Sequence, residues 1–210
     1  MIRVLIADDH DIVRQGMKRV FSRTPDIEVA GEARTGQEAL EKIWDGKFDV
    51  VILDISLPGR NGLEILKQIK SHHPKLPVLV LSMYPEEQYA LRVLKGGAAG
   101  YLTKESNKDD LIEAIRKAAQ GKKFITPQLA EMLADELESS TERAPHERLS
   151  DREYHLLCLI AKGKSTKEIA DDLALSMKTV GTHRARILEK MGMKSNAELT
   201  HYAIQRGLIE

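Results

Sequence analysis

The fold is decided by the stretch FDVVILDISLPG, which occupies residues 48–59. Its four central residues, VVIL, are apolar and rich in β-branched side chains, a pattern typical of a short strand buried on both faces within a parallel sheet. The strand ends in Asp54, and Pro58 with Gly59 then predicts a loop. Ligands of open α/β sheets bind just beyond the carboxyl ends of the strands. Asp54 is therefore a candidate functional residue.

Similar apolar runs lie on both sides of this strand and alternate with segments of helical periodicity. We predict five strands and five helices within residues 1–122. Such an alternation builds βαβ units, so the expected architecture is α/β, with a parallel, doubly wound, flavodoxin-like sheet and right-handed crossovers. The other strands are predicted at Arg3–Ala7, Ile27–Ala33, Pro77–Leu81 and Gly100–Thr103. The apolar face of the first helix is predicted to comprise Ile12, Val13, Gly16, Met17, Val20 and Phe21.

The composition excludes several classes of protein. The 210 residues include 32 basic and 32 acidic side chains, so the bulk charge indicates no particular partner. The single cysteine, Cys158, excludes an internal disulfide and a cysteine-based zinc site, and we expect it in a helix core. No apolar run approaches the roughly 18 residues of a membrane-spanning helix. We therefore expect a cytoplasmic protein without a membrane partner.

The alternation of strands and helices stops near residue 125. Thr126 and Pro127 are typical of a helix start, with Thr as the N-cap and Pro as the first helical residue. Residues 126–145 contain one basic and five acidic side chains, and they end in the linker-like sequence SSTERAP. We therefore predict a first domain at 1–122, a linker with an acidic helix at 123–147 and a second domain at 148–210.

The second domain contains only helical patterns. Ser150, Ser165 and Ser195 each precede a Glu by three residues and begin an apolar-periodic run, which is typical of capping boxes. Ser176 caps a further run that ends at Met191. Four short helices, of which the second and third are joined by ALS at 174–176, predict a small all-α domain built around a helix-turn-helix unit.

Charged and hydroxyl side chains lie at the ends of four predicted strands, on the same edge of the sheet. Asp8 and Asp9 follow the first strand, and Asp54 follows the third. Ser82 and Lys104 lie at the ends of the fourth and fifth strands. Clustered carboxylates need a cation, and oxygen ligands favour Mg²⁺. Because an ammonium and a hydroxyl suit an incoming phosphoryl group, and a carboxylate is a competent nucleophile, the residues predict a magnesium-dependent phosphoryl-transfer site.

At these positions, residues 1–120 resemble the receiver domain of two-component response regulators. The resemblance implies that Asp54 accepts a phosphoryl group from a histidine kinase. It also implies that Asp9, Asp54 and the backbone carbonyl of Ser56 hold Mg²⁺, while Asp8 acts mainly through water. The expected cofactor is therefore Mg²⁺, and the expected first partner is a sensor histidine kinase.

The same resemblance assigns a switch to the opposite side of the pocket. Ser82 would move toward the phosphate, Tyr101 would rotate with it, and Lys104 would contact the phosphate. Many receivers have Pro directly after the lysine, with a cis bond, whereas this chain has Glu105. Because a cis bond before a residue other than Pro costs about 3 kcal/mol, we expect either a trans Lys104–Glu105 bond or a strained loop.

Residues 146–210 resemble the LuxR-type helix-turn-helix domain. The matching stretches are LSDRE at 149–153, AKGKSTKEIA at 161–170 and LSMKTV at 175–180, followed by His183. A receiver followed by this domain defines the NarL/FixJ class of response regulators. The resemblance implies a transcription regulator, not an enzyme, that is switched by phosphorylation. Because helix-turn-helix dimers bind two half-sites one turn apart, we expect a homodimer on inverted repeats in promoter DNA.

The helix expected to enter the major groove has a basic outer face. Residues 178–194 contain five basic side chains and one acidic side chain, and a basic face on the second helix of such a unit suits the major groove. Gly181 departs from the polar residue that the family usually carries there. Helical periodicity places Val180, Ile187, Leu188 and Met191 inward. The candidates for phosphate contacts are Lys167, Lys178, His183 and Lys190, and those for base contacts are Thr182, Ala185 and Arg186.

Some alternatives stay open. Leu199, Tyr202 and Ala203 on the last helix could form a dimer contact or belong to the core of their own domain. A Mg²⁺-dependent phosphohydrolase would also use Asp54 as its nucleophile, but it would need a substrate pocket with a cap insertion. A DNA-binding regulator that needs no phosphorylation is a third function, and the intact set of acids with Lys104 argues against it.

Overall fold

A computed structural model describes residues 1–138 and 144–209. The chain divides into two compact units, Met1–Ala134 and Asp135–Glu210. The part of the predicted linker at 139–143 lies outside the described residues. The first unit is an α/β sheet structure and the second is helical, so both predicted architectures are confirmed.

The first unit contains the predicted parallel five-stranded sheet. In chain order its elements are β1 (Ile2–Ala7), α1 (Asp11–Phe21), β2 (Ile27–Ala33), α2 (Gly36–Asp45), β3 (Val50–Leu53), α3 (Gly62–His72), β4 (Val78–Ser82), α4 (Glu86–Lys95), β5 (Gly100–Thr103) and α5 (Lys108–Ala119). The strands are ordered β2-β1-β3-β4-β5, and all neighbouring pairs are parallel. The strand order reverses between β1 and β3, which is where open α/β sheets bind ligands.

Successive strand residues point to opposite faces of the sheet, and the side chains on both faces are buried. Val4 and Ile6 of β1 join Phe21 of α1 and Ile115 of α5 in one hydrophobic cluster. Leu5 lies between them in β1, points to the opposite face and is also fully buried. Each such side chain contributes about 1.5–3 kcal/mol when it is removed from water. The short β3 has no exposed residue, as expected of a central strand.

The predicted apolar face of α1 is partly wrong. Met17 and Phe21 are buried, but Ile12 is 88% exposed and Gly16 is also exposed. The third buried residue of the helix is Arg14. The true buried stripe runs through positions 14, 17 and 21, so it is rotated relative to the stripe of apolar residues. Apolarity alone assigns an arginine to solvent, and for this reason the prediction failed.

The helix α6 (Pro127–Glu138) begins at the predicted signal and crosses the division between the two units. The Thr126 hydroxyl accepts a hydrogen bond from the backbone N–H of Leu129 at 3.1 Å, as an N-cap does. It also donates to Oε2 of Glu86 on α4 at 2.5 Å. The start of α6 is therefore attached to the first turn of α4.

The second unit is helical, as predicted. It contains a 3₁₀ turn at Pro145–Arg148, which was not predicted, and then α7 (Asp151–Ala161), α8 (Thr166–Asp172), α9 (Met177–Met191) and α10 (Asn196–Gln205). Both α9 and α10 pack against α7, and α8 packs against α9. Cys158 of α7 is buried in a helix, as expected, and it forms no disulfide among the described residues. Within the described residues, no helix combines the length and the apolarity that crossing a bilayer requires.

Two of the three predicted capping boxes are complete, those that begin at Ser150 and Ser165. Ser195 does accept the backbone N–H of Glu198. The Glu198 carboxylate, however, accepts the backbone N–H of Lys194 at 3.0 Å instead of the N–H of Ser195. A side-chain cap is worth about 1 kcal/mol, so each of these three serines helps to stabilise the helix that it begins.

Candidate functional site

Three acidic side chains meet at the carboxyl ends of β1 and β3. Asp8 and Asp54 are buried, with 2% and 1% of their surface exposed, whereas Asp9 is more open. His10, the N-cap residue of α1, adds an imidazole to this cluster. One ligand atom from each of these four residues can be chosen so that all four lie within 4.8 Å of one another. The strand ends therefore bring the predicted carboxylates together.

Lys104 bridges two of these carboxylates. Its Nζ lies 2.7 Å from Oδ2 of Asp8 and 2.7 Å from Oδ2 of Asp54. Its backbone N–H donates to the carbonyl of Ser82 at 2.7 Å, which fixes the residue at the ends of β4 and β5. Burial would lower the pKa of the Lys104 ammonium, but the neighbouring carboxylates, Asp54 above all, hold that pKa above its usual range. The ammonium therefore stays charged.

Asp54 is held in place by the loop that follows it. Its Oδ1 accepts the backbone N–H of Ser56 at 3.0 Å, and its own N–H donates to the carbonyl of Ala7 at 2.9 Å. Burial raises the pKa of the Asp54 carboxyl, while the ammonium of Lys104 opposes this shift. Gly62 lets the loop close against the start of α3, since a Cβ at this position would collide with the carbonyl of Asp54.

The predicted switch residues, Ser82 and Tyr101, have no exposed surface. The Tyr101 hydroxyl donates to the carbonyl of Tyr84 at 2.7 Å. The Ser82 hydroxyl accepts the backbone N–H of Tyr84 at 3.2 Å. Burial raises the pKa of the Tyr101 phenol, which therefore stays a hydrogen-bond donor at neutral pH. Both residues thus hold the connection between β4 and α4.

The Lys104–Glu105 peptide is trans, which confirms the first of the two expected geometries. No cis peptide bond occurs among residues 1–138 and 144–209. In the same part of the chain, Ala174 is the only residue other than glycine with a positive φ, so Glu105 is not strained in this way. The turn after Lys104 is closed instead by the N–H of Ser106, which donates to the carbonyl of Thr103 at 3.0 Å.

The helix α9 has the two faces that its periodicity predicted. Val180, Ile187 and Met191 are buried, and Leu188 is half-buried. The turn between α8 and α9 contains Ala174 at φ 50°, a left-handed conformation that a non-glycine residue rarely adopts. The residues on the opposite face are all exposed: Lys178, Thr182, Ala185, Arg186 and Glu189.

The candidates for DNA contacts differ in their surroundings. Lys167 on α8 is exposed, as is Arg186 on α9, whereas His183 is half-buried. The Thr182 hydroxyl donates to the backbone carbonyl of Lys178 at 3.0 Å, so this hydroxyl has a partner within its own helix. The structure places these side chains on one helix-turn-helix unit, and their individual contacts with DNA stay predictions.

Lys190 has a partner within the domain. Its Nζ lies 2.6 Å from Oε2 of Glu153 on α7, and Glu153 is buried. Arg184 of α9 donates to Oδ1 of Asn196 on α10 at 2.6 Å. These two basic residues of α9 therefore connect it to its neighbouring helices.

Two family models match the chain in succession. The response regulator receiver domain matches residues 4–116, and the luxR family of bacterial regulatory proteins matches residues 147–203. The chain is a response regulator of the NarL/FixJ class. The regulator is 37% identical over 211 residues to the response regulator GacA of Pseudomonas viridiflava, an alignment that covers all of the regulator and 99% of GacA. It is 38% identical over 217 residues to the oxygen regulatory protein NreC of Staphylococcus epidermidis, and this alignment covers both proteins completely.

Solved structures of another response regulator have the same architecture as this regulator. The RcsB response regulator of Salmonella typhimurium is 28% identical, with coverage of 98% of the regulator and 100% of the RcsB chain and a TM-score of 0.59. RcsB in a complex with DNA also has 28% identity and a TM-score of 0.59, with coverage of 100% of the regulator and 99% of the RcsB chain.

The acidic cluster of the regulator fits a hard divalent cation. Three carboxylates converge there, and the single ammonium of Lys104 balances only one of their charges. Oxygen ligands of this kind suit Mg²⁺, which receiver domains generally bind at an acidic pocket. Asp9 and Asp54 would supply carboxylate ligands. For Ser56 the structure shows an N–H bond to Asp54, and the proposed role of its carbonyl stays a prediction.

One residue beside the pocket was not among the predicted site residues. Arg14 of α1 is buried, and its Nη1 donates to the backbone carbonyl of Asp8 at 2.7 Å. A signal was present, because Arg14 lies three residues before Met17 and seven before Phe21, on the stripe that those two buried residues define. An arginine in such a stripe needs buried acceptors, and nearby acids could have indicated them.

Proposed function

We propose that the regulator controls transcription and that phosphorylation of Asp54 by a histidine kinase switches its binding to promoter DNA. The observation that carries this proposal is the ion-pair geometry of Lys104, whose ammonium lies 2.7 Å from carboxylates of both Asp8 and Asp54. A buried acid beside a fixed cation and a second acid has the groups that phosphoryl transfer needs. A purely structural strand end has no need of this combination.

In the proposed reaction, an Asp54 oxygen attacks the phosphorus of a phosphohistidine on the kinase. The new bond joins Oδ of Asp54 to phosphorus, and the bond between phosphorus and the imidazole nitrogen breaks, so the leaving group stays on the kinase. Lys104 would exchange part of its contact with Asp54 for the new phosphoryl oxygens. Mg²⁺, when bound, would neutralise charge on those oxygens.

The signal would leave the pocket through the connection between β4 and α4. A phosphoryl group would attract the Ser82 hydroxyl, which now accepts the N–H of Tyr84 at 3.2 Å. Tyr84 also accepts the Tyr101 hydroxyl at its carbonyl. Glu86 lies two residues further along the chain, and it accepts the Thr126 hydroxyl at the start of α6 at 2.5 Å. This series of contacts supports α6 as the part of the linker that receives the signal.

The domain division that we propose keeps the predicted limits: a receiver at 1–122, a linker at 123–147 and a DNA-binding domain at 148–210.

We also propose that the phosphorylated regulator binds inverted repeats as a homodimer. Leu199 and Ala203 of α10 are fully buried in the single chain, which favours a role in the domain core over a role in the dimer. Ile204 of α10 is 58% exposed and is available for a contact across a two-fold axis.

The geometry favours this function over a phosphohydrolase. Such an enzyme would need a cap insertion over Asp54 to hold its substrate. Among the elements of residues 1–119, the connection at 54–61 is the longest between any strand and helix, and it folds back so that Gly62 N–H donates to the carbonyl of Ile55 at 2.9 Å. No connection in this part of the chain has the length of a cap.

The proposal is tested by incubating the whole chain with Mg²⁺ and acetyl phosphate and then measuring its intact mass. One adduct of ~80 Da is expected, the mass of one phosphoryl group. Asp54→Asn should abolish it, because an amide is not a nucleophile for phosphorus, and chelation of Mg²⁺ should abolish it in the parent. Labelling of the Asn variant to the parent's extent would show that Asp54 is not the acceptor.

The DNA step is tested separately. Binding isotherms of the phosphorylated and unphosphorylated chain are measured on a DNA duplex selected from a random-sequence pool. Lys104→Ala should leave the adduct in place but reduce the difference in DNA affinity between the two forms. An affinity that phosphorylation does not change in the parent would favour the regulator that needs no phosphorylation.

A further inference from the structure

Arg14 is a buried arginine beneath the acidic pocket, with 2% of its surface exposed. Its Nη1 donates to the backbone carbonyl of Asp8 at 2.7 Å. Its Nε donates to Oε2 of Glu32 on β2 at 3.3 Å, and its Nη2 pairs with the carboxylate of Asp11. One planar guanidinium thus connects the end of β1, the end of β2 and the first turn of α1. A planar fork of donors can satisfy such a set of acceptors at once.

The contact with Asp8 fixes the direction in which the chain leaves β1. The carbonyl of Asp8 and the N–H of Asp9 belong to one planar peptide unit, so holding the first orients the second. Other groups also hold Asp8: its N–H donates to the carbonyl of Ala33 at 3.0 Å, its Oδ1 accepts the N–H of His10 at 2.8 Å, and its Oδ2 pairs with the ammonium of Lys104. Arg14 adds a side-chain bond from the helix below the turn.

We propose that Arg14 is a positioning residue for magnesium binding, which acts through the Asp8 carbonyl and holds Asp8 and Asp9 where both can share one cation. The inference rests on the proposed function, since it takes Mg²⁺ as the ligand of the pocket. Outer partners of metal ligands typically change metal affinity by tenfold to a hundredfold when they are lost. The competing explanation is that Arg14 only neutralises Glu32.

Lys18 distinguishes the two explanations. Its Nζ donates to Oε1 of Glu32 at 2.6 Å, so it also places a cation on this carboxylate. Among the described residues, Glu32 is the carboxylate with which Lys18 pairs, and Lys18 is not part of the turn that carries Asp8. Lys18→Met therefore removes a cation from Glu32 while the bond to the Asp8 carbonyl remains. It is the matched control for Arg14→Met.

The experiment titrates MgCl₂ into the full chain by calorimetry, with thermal unfolding as a check of folding. Arg14→Met should weaken Mg²⁺ binding about tenfold, whereas Lys18→Met should bind Mg²⁺ as the parent does. In acetyl phosphate labelling, the Mg²⁺ concentration at half-maximal rate should rise for Arg14→Met, while the rate at saturating Mg²⁺ should be retained. A role limited to folding would not raise the half-maximal Mg²⁺ concentration while leaving the rate at saturating Mg²⁺ unchanged.

Two further variants decide the outcome if Arg14→Met does not fold. The double variant Arg14→Met/Glu32→Gln removes the buried cation together with one of its two carboxylate partners, and it should fold yet still bind Mg²⁺ weakly. Arg14→Lys keeps the charge but has no planar fork, so it should restore the affinity only in part. Affinity equal to the parent in folded Arg14→Met or in the double variant would overturn the inference. A parent that binds Mg²⁺ but is not labelled would instead refute the proposed function alone.

Discussion

The Lys190 ammonium on α9 lies 2.6 Å from Oε2 of Glu153 on α7, a carboxylate that also accepts the N–H of Ser150 at 2.8 Å. The ion pair thus joins the capping box of α7 to α9, the helix that we propose faces DNA. Burial would raise the pKa of Glu153, but the bonds from Lys190 and Ser150 outweigh burial and lower it. A lysine expected to contact phosphate therefore also stabilises the packing of two helices.

Lys190→Ala should lower the stability of the second unit by about 1–2 kcal/mol. Leaving a buried carboxylate without its cation is costly, but the lysine side chain is 41% exposed, so solvent reduces the effect. Hydrogen exchange of α7 and α9 measures the change, and the fluorescence of Trp44, the only tryptophan, reports on the first unit as an internal control. Lys178→Ala, on the same helix and exposed, should change stability by less than about 0.5 kcal/mol. Equal exchange rates in the two variants would show that the ion pair does not stabilise the unit.

The acidic pocket was predictable because it depends on local patterns and one topological rule. Asp8, Asp54 and Lys104 each follow an apolar run, and parallel strands bring the ends of such runs to the same edge of the sheet. The faces of α9 were predictable for a similar reason, since 3.6 residues per turn fix which side chains lie opposite Val180 and Ile187.

The Lys190–Glu153 pair and the partners of Arg14 were not predictable in this way. Glu153 and Lys190 are 37 residues apart, and no spacing within either helix says which basic residue of α9 will meet α7. Arg14 is buried only because Glu32 and the Asp8 carbonyl come to it from other elements. Both sets of contacts arise from packing between elements, and local periodicity does not identify which residues of different elements will meet.

Arg186→Ala should weaken binding at the selected DNA site by about 1–3 kcal/mol and relax the preference at one base in each half-site. Arg186 is exposed on the outer face of α9, and arginine paired with guanine is the commonest specific base contact. Lys178→Ala is the comparison: it should weaken all sequences alike and lower the slope of affinity against salt by about one. Isotherms on selected and scrambled duplexes at several salt concentrations measure both. If Arg186→Ala weakens binding to the selected and scrambled duplexes equally, Arg186 contacts the phosphate backbone, and base contacts are left to Thr182 and Ala185.

Gly181→Ala should stabilise the second unit by about 1 kcal/mol. Gly181 lies within α9, where glycine is less favourable than alanine by this amount. The position is exposed, and a Cβ built there meets no atom within 4 Å, so no clash offsets the gain. Hydrogen exchange of α9 measures the change. Gly192→Ala is the contrasting variant, since Gly192 ends the helix at φ 67° and alanine is strained there. A loss of stability in Gly181→Ala would contradict the prediction.

The stability of the chain should fall as the pH is lowered from about 6.5 toward 4, and His155 should cause part of this fall. His155 is buried, and burial, followed by the nearby cations Arg152 and Lys162, lowers the pKa of its imidazole to about 4. An unfolded histidine has a pKa of about 6.5. Below that pH the unfolded chain binds a proton that the folded chain does not bind, so unfolding becomes more favourable, by at most about 3 kcal/mol. Urea unfolding followed by circular dichroism at pH 7, 6 and 5 measures the slope. His155→Leu should flatten it, and an unchanged slope would exclude this histidine as a cause.

Thr126→Val should reduce the difference in DNA affinity between the phosphorylated and unphosphorylated chains, without reducing the labelling of Asp54. Valine has nearly the same shape, but it lacks the hydroxyl that donates to Glu86 and accepts the N–H of Leu129. Loss of this cap should cost about 1 kcal/mol at the start of α6 and detach it from the first turn of α4. The ratio of the two dissociation constants on a selected duplex is the quantity to measure.

The matched control is Thr126→Ser, which keeps both hydrogen bonds and should restore the ratio. A second control is Gln128→Ala, because the Gln128 side chain donates to Glu87, also on α4, but from an exposed position that contributes little. If the Val variant has the parent's ratio while hydrogen exchange shows that the start of α6 has loosened, the attachment of α6 to α4 does not transmit the signal. If Ser restores the ratio and Gln128→Ala leaves it unchanged, transmission depends on the Thr126 hydroxyl and its bond to Glu86.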